Sequence, residues 1–130
     1  MQPYSIQIKE HHLDTFGHVN NATYLQIFEE ARWEIITARG YGLPEIMAAK
    51  KGPVVLEANI KFLKELKLRD TIQVTFEPIE MNGKIGKCLQ RMINSSGEVS
   101  CEALFTVGFF DLETRRLILP TEQWLKAVQG

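Results

Sequence analysis

Residues 14–24 read DTFGHVNNATY, which crowds a carboxylate, a glycine, an imidazole and two amides into the stretch where a helical pattern begins. That arrangement offers chemistry. A helix N-terminus carries unpaired N–H donors and about half a positive charge. If it opens into a cleft, a carbonyl oxygen can rest on it, and negative charge developing there meets dipoles already in place. A carboxylate held alongside, here Asp14, can attack the carbonyl carbon or deprotonate a water. Gly17 would let a ligand come close to the backbone. The same residues also have a purely local reading, in which Asn20 or Asn21 caps the helix, Gly17 supplies a positive φ and Asp14 faces the helix dipole as a spectator. A metal is the third use for them, since His11, His12, Asp14 and His18 are all possible ligands. Their spacing fits no familiar site, and adjacent histidines on a strand point to opposite faces. His11 and His12 are expected at a strand end, with no metal and no cofactor.

The elements that must position this cluster are legible from periodicity. Over residues 23–39, Tyr24, Ile27, Phe28, Ala31, Ile35 and Ala38 share one helical face, flanked by Leu25 and Ile36. Trp33 lies on the opposite side, beside Glu29, Glu30 and Thr37. The apolar arc is wider than a helix lying flat on a surface needs, so a sheet curling around it is expected. Gly40, after Arg39, suits the C-cap. Residues 42–52 suggest a short second helix with Pro44 in its first turn.

The rest reads as strand. Residues 4–10 alternate with Tyr4, Ile6 and Ile8 on one side, and residues 54–64 with Leu56, Ala58, Ile60 and Phe62. Residues 71–81 change phase at Pro78, which predicts a bulge or an edge there. Asn82-Gly83 predicts a type I′ hairpin. A turn at Ser96-Gly97 would set Met92 opposite Cys101, Cys88 opposite Phe105 and Arg91 opposite Glu102, so the two cysteines are out of register for a disulfide and are expected buried and reduced. Residues 115–120 suggest a last strand and 121–128 a last helix. Hairpin links would make the strands after the helices a meander. The expected fold is α+β, an antiparallel sheet wrapped around one long central helix, with residues 1–130 as one domain. Open sheet edges and Trp33 lead to the expectation of a homodimer or homotetramer.

Composition removes other classes. Hydrophobic content of 45% and charged content of 24% exclude disorder, and a net charge of −1 with scattered Lys and Arg argues against nucleic acid as a partner. No apolar run approaches a membrane span, and the first twenty residues lack the apolar segment of a secretory signal, so a cytoplasmic location is expected.

The run DTFGHVNNATYLQIFEEAR resembles the signature of the hot-dog-fold thioesterases, specifically the 4-hydroxybenzoyl-CoA thioesterase type and its bacterial acyl-CoA thioesterase relatives. Asp14, Gly17, Tyr24 and Glu30-Ala31-Arg32 carry the match, which is dense over residues 6–40 and continues more weakly through PVVLEANIKFLKELKLRDTIQV. The resemblance implies a hot-dog fold and hydrolysis of an acyl-CoA to free acid and CoA. It implies Asp14 as nucleophile or general base and the backbone N–H of Asn21 as the group that polarises the carbonyl. HVNN further resembles plant acyl-carrier-protein thioesterases, which implies a part for His18. Gly17 and Tyr24 are implied to line the substrate. Glu30 is a reserve carboxylate, because one branch of these enzymes uses an acid on this helix; its other reading is a solvated face shared with Glu34. The chain departs from the pattern at Phe16, His12, Leu66 and Arg69-Asp70. A hydratase or dehydratase of acyl thioesters, or an acyl-CoA-binding protein without turnover, are the alternatives on the same fold.

Overall fold

The computed structural model describes residues 3–130. Strand β1 (Tyr4–Gln7) leads through a 3₁₀ turn (Glu10–His12) to helix α1 (Asn21–Ala38) and the short helix α2 (Leu43–Ala49). Strands β2 (Lys51–Phe62), β3 (Thr71–Val74), β4 (Glu77–Asn82), β5 (Ile85–Ile93), β6 (Val99–Asp111) and β7 (Arg116–Ile118) follow, and helix α3 (Glu122–Gln129) ends the chain. The strands form one antiparallel sheet in the order β1-β3-β5-β6-β2, with β4 also on β5 and β7 also on β6.

Helix α1 buries Tyr24, Ile27, Phe28, Ala31, Ile35 and Ile36. Ala38 and Leu25, assigned to the apolar face and its flank, stay exposed at the last turn and the first. The buried stripe meets the β6 residues Cys101, Ala103, Phe105 and Phe109, and Phe28 packs edge-on against Phe105 with ring centres 5.9 Å apart. The helix ends as expected, with Arg39 at the cap and Gly40 at φ +98°.

Five local expectations differ from the structure. The meander does not include β2, which crosses to the far side of the sheet and pairs with β6 from Lys51↔Asp111 to Phe62↔Cys101. The eight residues between β2 and β3 are no tight turn, so nothing forces those strands to be neighbours. A bulge between Val55 and Glu57 sets Leu56 apart from the even-numbered face anticipated for β2; Ala58, Ile60 and Phe62 keep their alternation, yet Leu56 is 47% and Phe62 54% exposed on this edge strand. Residues 71–81 form two strands, β3 and β4, with the expected register shift at Pro78. The β4–β5 loop is Gly83-Lys84, since Asn82 pairs with Ile85; Gly83 at φ +61° with no positive φ at Lys84 is the sign pattern of a type II′ turn. His11 and His12 sit in the 3₁₀ turn instead of ending a strand. There the N–H of Lys9 donates to Nδ1 of His12 at 2.8 Å, and burial holds that imidazole below its usual pKa. Among the described residues no group of three or more His, Cys, Asp and Glu side chains is placed to hold a metal.

The β5–β6 hairpin reaches its expected register by a different route. The N–H of Gly97 donates to Asn94 O, and Gly97 lies at φ +81°, so the tight turn is centred on Ser95-Ser96 with Gly97 as a bulge. An irregularity between Met92 and Ile93 then restores Met92↔Cys101, Cys88↔Phe105 and Arg91↔Glu102, the last closing with a 2.7 Å ion pair. Both thiols are free and buried. Burial pushes Cys88 up to about 11 and Cys101 to about 12, against an ordinary 9.0. Because the folded thiols hold their protons more tightly than unfolded ones, their contribution to stability is constant below pH 9 and is lost as pH rises from 9 towards 11. A thiol reagent at pH 8 is therefore expected to label neither cysteine in the native protein and both in denaturant. Rapid native labelling would contradict this placement.

Candidate active site

The residues between the 3₁₀ turn and α1 form a loop clipped by its own backbone. Leu13 and Val19 bridge across it, and around them the N–H of Asn20 donates to His12 O (3.3 Å) and that of Asp14 to His18 O (2.8 Å). At the tip the N–H of Gly17 donates to Asp14 O (3.1 Å), with Gly17 at φ +81°. A side chain there would be strained, while the space above its Cα is open. Asp14 is half-buried, and its Oδ1 accepts from the N–H groups of Phe16 (2.8 Å) and His18 (3.3 Å). Oδ2 has no hydrogen-bond partner among the described residues.

This loop delivers the chain directly into the helix. Asn20 is the N-cap, as one local reading expected, and its side chain accepts from Ala22 N at 2.9 Å. Its carbonyl accepts from Thr23 N (2.9 Å) and Tyr24 N (3.3 Å). Three of the four first-turn donors are thus satisfied within the turn, and only the N–H of Asn21 has no partner among the described residues. Capping and a free donor coexist, one residue apart.

An open depression of about 310 Å³ lies at this end of α1, lined by His18, Asn21 and Tyr24 together with Phe62, Lys64 and Glu65 from the end of β2. The Tyr24 ring meets Phe62 edge-on at 5.1 Å, and burial raises the Tyr24 phenol above its ordinary pKa. Nδ1 of His18 lies 2.5 Å from Oε1 of Glu65, with both side chains about half exposed (51% and 43%). An ion pair that wet contributes little to stability, so its significance is positional. Phe62 and Glu65 carry no local sequence signal. They arrive because β2 runs the full length of β6 before turning back.

Of the anticipated site residues, His18, Asn21 and Tyr24 line the depression, and Asp14 and Gly17 stand in the loop that feeds it. Glu30 is apart from them. It lies nine residues along the helix, where its Oε2 accepts from the Tyr4 hydroxyl at 2.7 Å, a bond that pushes the phenol up to about 12.

Residues 8–128 match the family model described as the thioesterase-like superfamily. The chain belongs to that superfamily. It is a thioester hydrolase of the hot-dog fold. It is 32% identical over 114 residues, 87% of its own length and 86% of the relative's, to the long-chain acyl-CoA thioesterase FadM of Escherichia coli (strain K12). Among solved structures it is similar to the probable thioesterase YbaW of Escherichia coli, at TM-score 0.87 and 28% identity over the whole of both chains. The Staphylococcus aureus protein SAV2348, solved in complex with CoA, shares the fold at TM-score 0.90 and 19% identity, over 98% of this thioesterase and 85% of that chain.

Proposed function

We propose that this thioesterase hydrolyses long-chain acyl-CoA to the free acid and CoA at the N-terminal end of α1. The thioester oxygen docks on the N–H of Asn21, where charge gathering in the tetrahedral state meets a fixed donor and the helix dipole. Asp14 acts as general base or as nucleophile. As a base it takes a proton from water while the water oxygen bonds to the carbonyl carbon; the C–S bond then breaks, and the proton held by Asp14 passes to the sulfur, so that CoA departs as its thiol and the carboxylate is restored. As a nucleophile its carboxylate oxygen bonds to the carbonyl carbon and the C–S bond breaks to expel CoA thiolate, which takes up a solvent proton; water then hydrolyses the mixed anhydride to the free acid and the Asp14 carboxylate. Gly17 leaves room for the acyl-thioester backbone, and Tyr24 with Phe62 supplies an apolar wall. The observation that carries the reading is the single unpaired first-turn N–H, tied by short backbone bonds to the loop that holds Asp14. The similarity to a long-chain acyl-CoA thioesterase supports a long acyl chain.

The His18–Glu65 contact favours one second arrangement, in which His18 is the base and Glu65 orients it. His18→Ala would then cost as much activity as loss of Asp14. The exposed β2 edge, with Val55, Leu56 and Phe62 uncovered, supports a homodimer or a tetramer built from such pairs, and a mass above that of one chain is expected in solution. Two buried, unpaired thiols support a reducing, cytoplasmic setting. Among the described residues no helix is long and apolar enough to cross a membrane.

Release of free CoA thiol from acyl-CoAs of graded chain length and aromaticity tests the function. Turnover highest with long aliphatic chains is expected. Binding without hydrolysis above the buffer rate across the whole panel would leave a non-catalytic carrier in its place.

A further inference from the structure

Farther along α1 lies a second cavity, of about 330 Å³, bounded by the helix, the β4–β5 hairpin, β6 and α3. It shares no lining residue with the depression at the helix start. Arg32, on its wall, stands eleven residues past Asn21, about 16 Å along the helix axis. Most of the lining is apolar, including Ile36, Phe76, Val107, Phe109 and Trp124.

Arg32 is the anomaly in this apolar wall. Its Nη1 donates to Oε1 of Gln90 at 3.1 Å, and its guanidinium lies over the Phe105 ring at 4.4 Å. Gln90 is fully buried and fixed in turn by donating to Phe28 O at 3.2 Å, so the guanidinium is held in place. That is one hydrogen bond for a group with five N–H donors. No carboxylate reaches ion-pair distance of it among the described residues. Glu29, exposed on the same cavity, is felt only through space, and burial pulls the guanidinium below its ordinary pKa. Lys84 and Lys87 also line the cavity, with Lys87 3.5 Å from Glu80, so cations outnumber carboxylates around it.

A half-buried guanidinium with idle donors carries a desolvation cost that an arriving anion offsets. Its planar fork fits a carboxylate through two parallel bonds. The mostly apolar walls suit a ligand whose remaining body is hydrocarbon, and the volume falls in the range of small-molecule sites. We propose that this cavity binds a free amphipathic monocarboxylic acid, with the carboxylate on Arg32 and the hydrocarbon among Ile36, Phe76, Phe109 and Trp124. Such a ligand has the chemistry of a thioester-hydrolysis product, so the site would sense accumulated acid. The assignment rests on Arg32 and the cavity, and not on the roles of Asp14 or Asn21.

The chain's two tryptophans, Trp33 and Trp124, both line this cavity and neither lines the other, so their fluorescence reports its occupancy. The test titrates the purified protein with decanoate, decanol and a non-hydrolysable decyl-CoA thioether. Decanoate is expected to change the fluorescence saturably, with decanol at least tenfold weaker. Arg32→Gln should weaken decanoate at least tenfold, and Arg32→Lys should recover part of the loss. Ile85→Phe, at a cavity residue already 42% exposed and away from the β2 edge, should weaken it by filling space without disturbing the fold. Asp14→Asn should leave decanoate binding unchanged, which separates this site from the proposed reaction centre. Decanol binding as tightly as decanoate, or a folded Arg32→Gln protein with unaltered affinity, would overturn the proposal. So would competition by the thioether with an equal fluorescence response, which would make the cavity a channel for the substrate's own chain. Should Arg32→Gln fail to fold, the acid–alcohol comparison on the native protein and Ile85→Phe still decide.

Discussion

Asp14→Asn is expected to lower kcat for acyl-CoA hydrolysis by about 10²–10⁴-fold, the range a positioned acid–base group contributes. The substitution is chosen for what it keeps. Oδ1 of Asp14 accepts from Phe16 N and His18 N, and an asparagine carbonyl oxygen can accept both, so the loop keeps its shape while the negative charge is lost. Asp14→Ala removes charge and loop bonds together and cannot tell chemistry from geometry. Steady-state kinetics with the best long-chain substrate, alongside circular dichroism and a melting curve, make the comparison. A folded Asp14→Asn protein within tenfold of the parent would transfer the proton chemistry to another group, with His18 and its Glu65 partner next in line.

Asn21→Pro is expected to lower kcat by about 10²–10³-fold, the usual cost of deleting one oxyanion donor. Backbone donors are ordinarily beyond the reach of side-chain mutagenesis. Here the position makes it feasible. Asn21 is the first residue of α1, where proline is well tolerated, and its N–H has no internal partner to lose. Asn20, at φ −65° and ψ 141°, already has the backbone that a residue before proline prefers. The side chain of Asn21 is controlled by Asn21→Ala, which keeps the N–H and should keep most of the activity. Equal kcat in the proline and alanine variants would mean that the carbonyl oxygen finds its donor elsewhere.

What could be read from the sequence was whatever local geometry encodes. The 3.6-residue period gave the buried face of α1 from Tyr24 to Ile35, the asparagine pair gave a cap, and Gly17 has the positive φ that its place before the helix suggested. The Met92↔Cys101 register, expected from a turn at Ser96-Gly97, is found although the turn sits one residue earlier, because the irregularity between Met92 and Ile93 makes up the difference and burial of one face penalises every slip. Choice of partner strand was not legible. Nothing within residues 51–62 says that they pair with β6 and not β3, so the arrival of Phe62 and Glu65 beside His18 could not be foreseen. Arg32 was visible only as one letter of a motif. Its place on a cavity wall depends on Gln90, fifty-eight residues later, and on a C-terminal helix whose Trp124 closes the space.

The central claim concerns where a thioester carbonyl sits, and the most direct measurement is a structure of the protein bound to an acyl-CoA analogue in which a ketone replaces the thioester. The ketone oxygen is expected about 2.7–3.2 Å from the backbone nitrogen of Asn21, with the Asp14 carboxylate facing the ketone carbon. A ketone held away from Asn21, or an Asp14 side chain turned from it, would contradict the account.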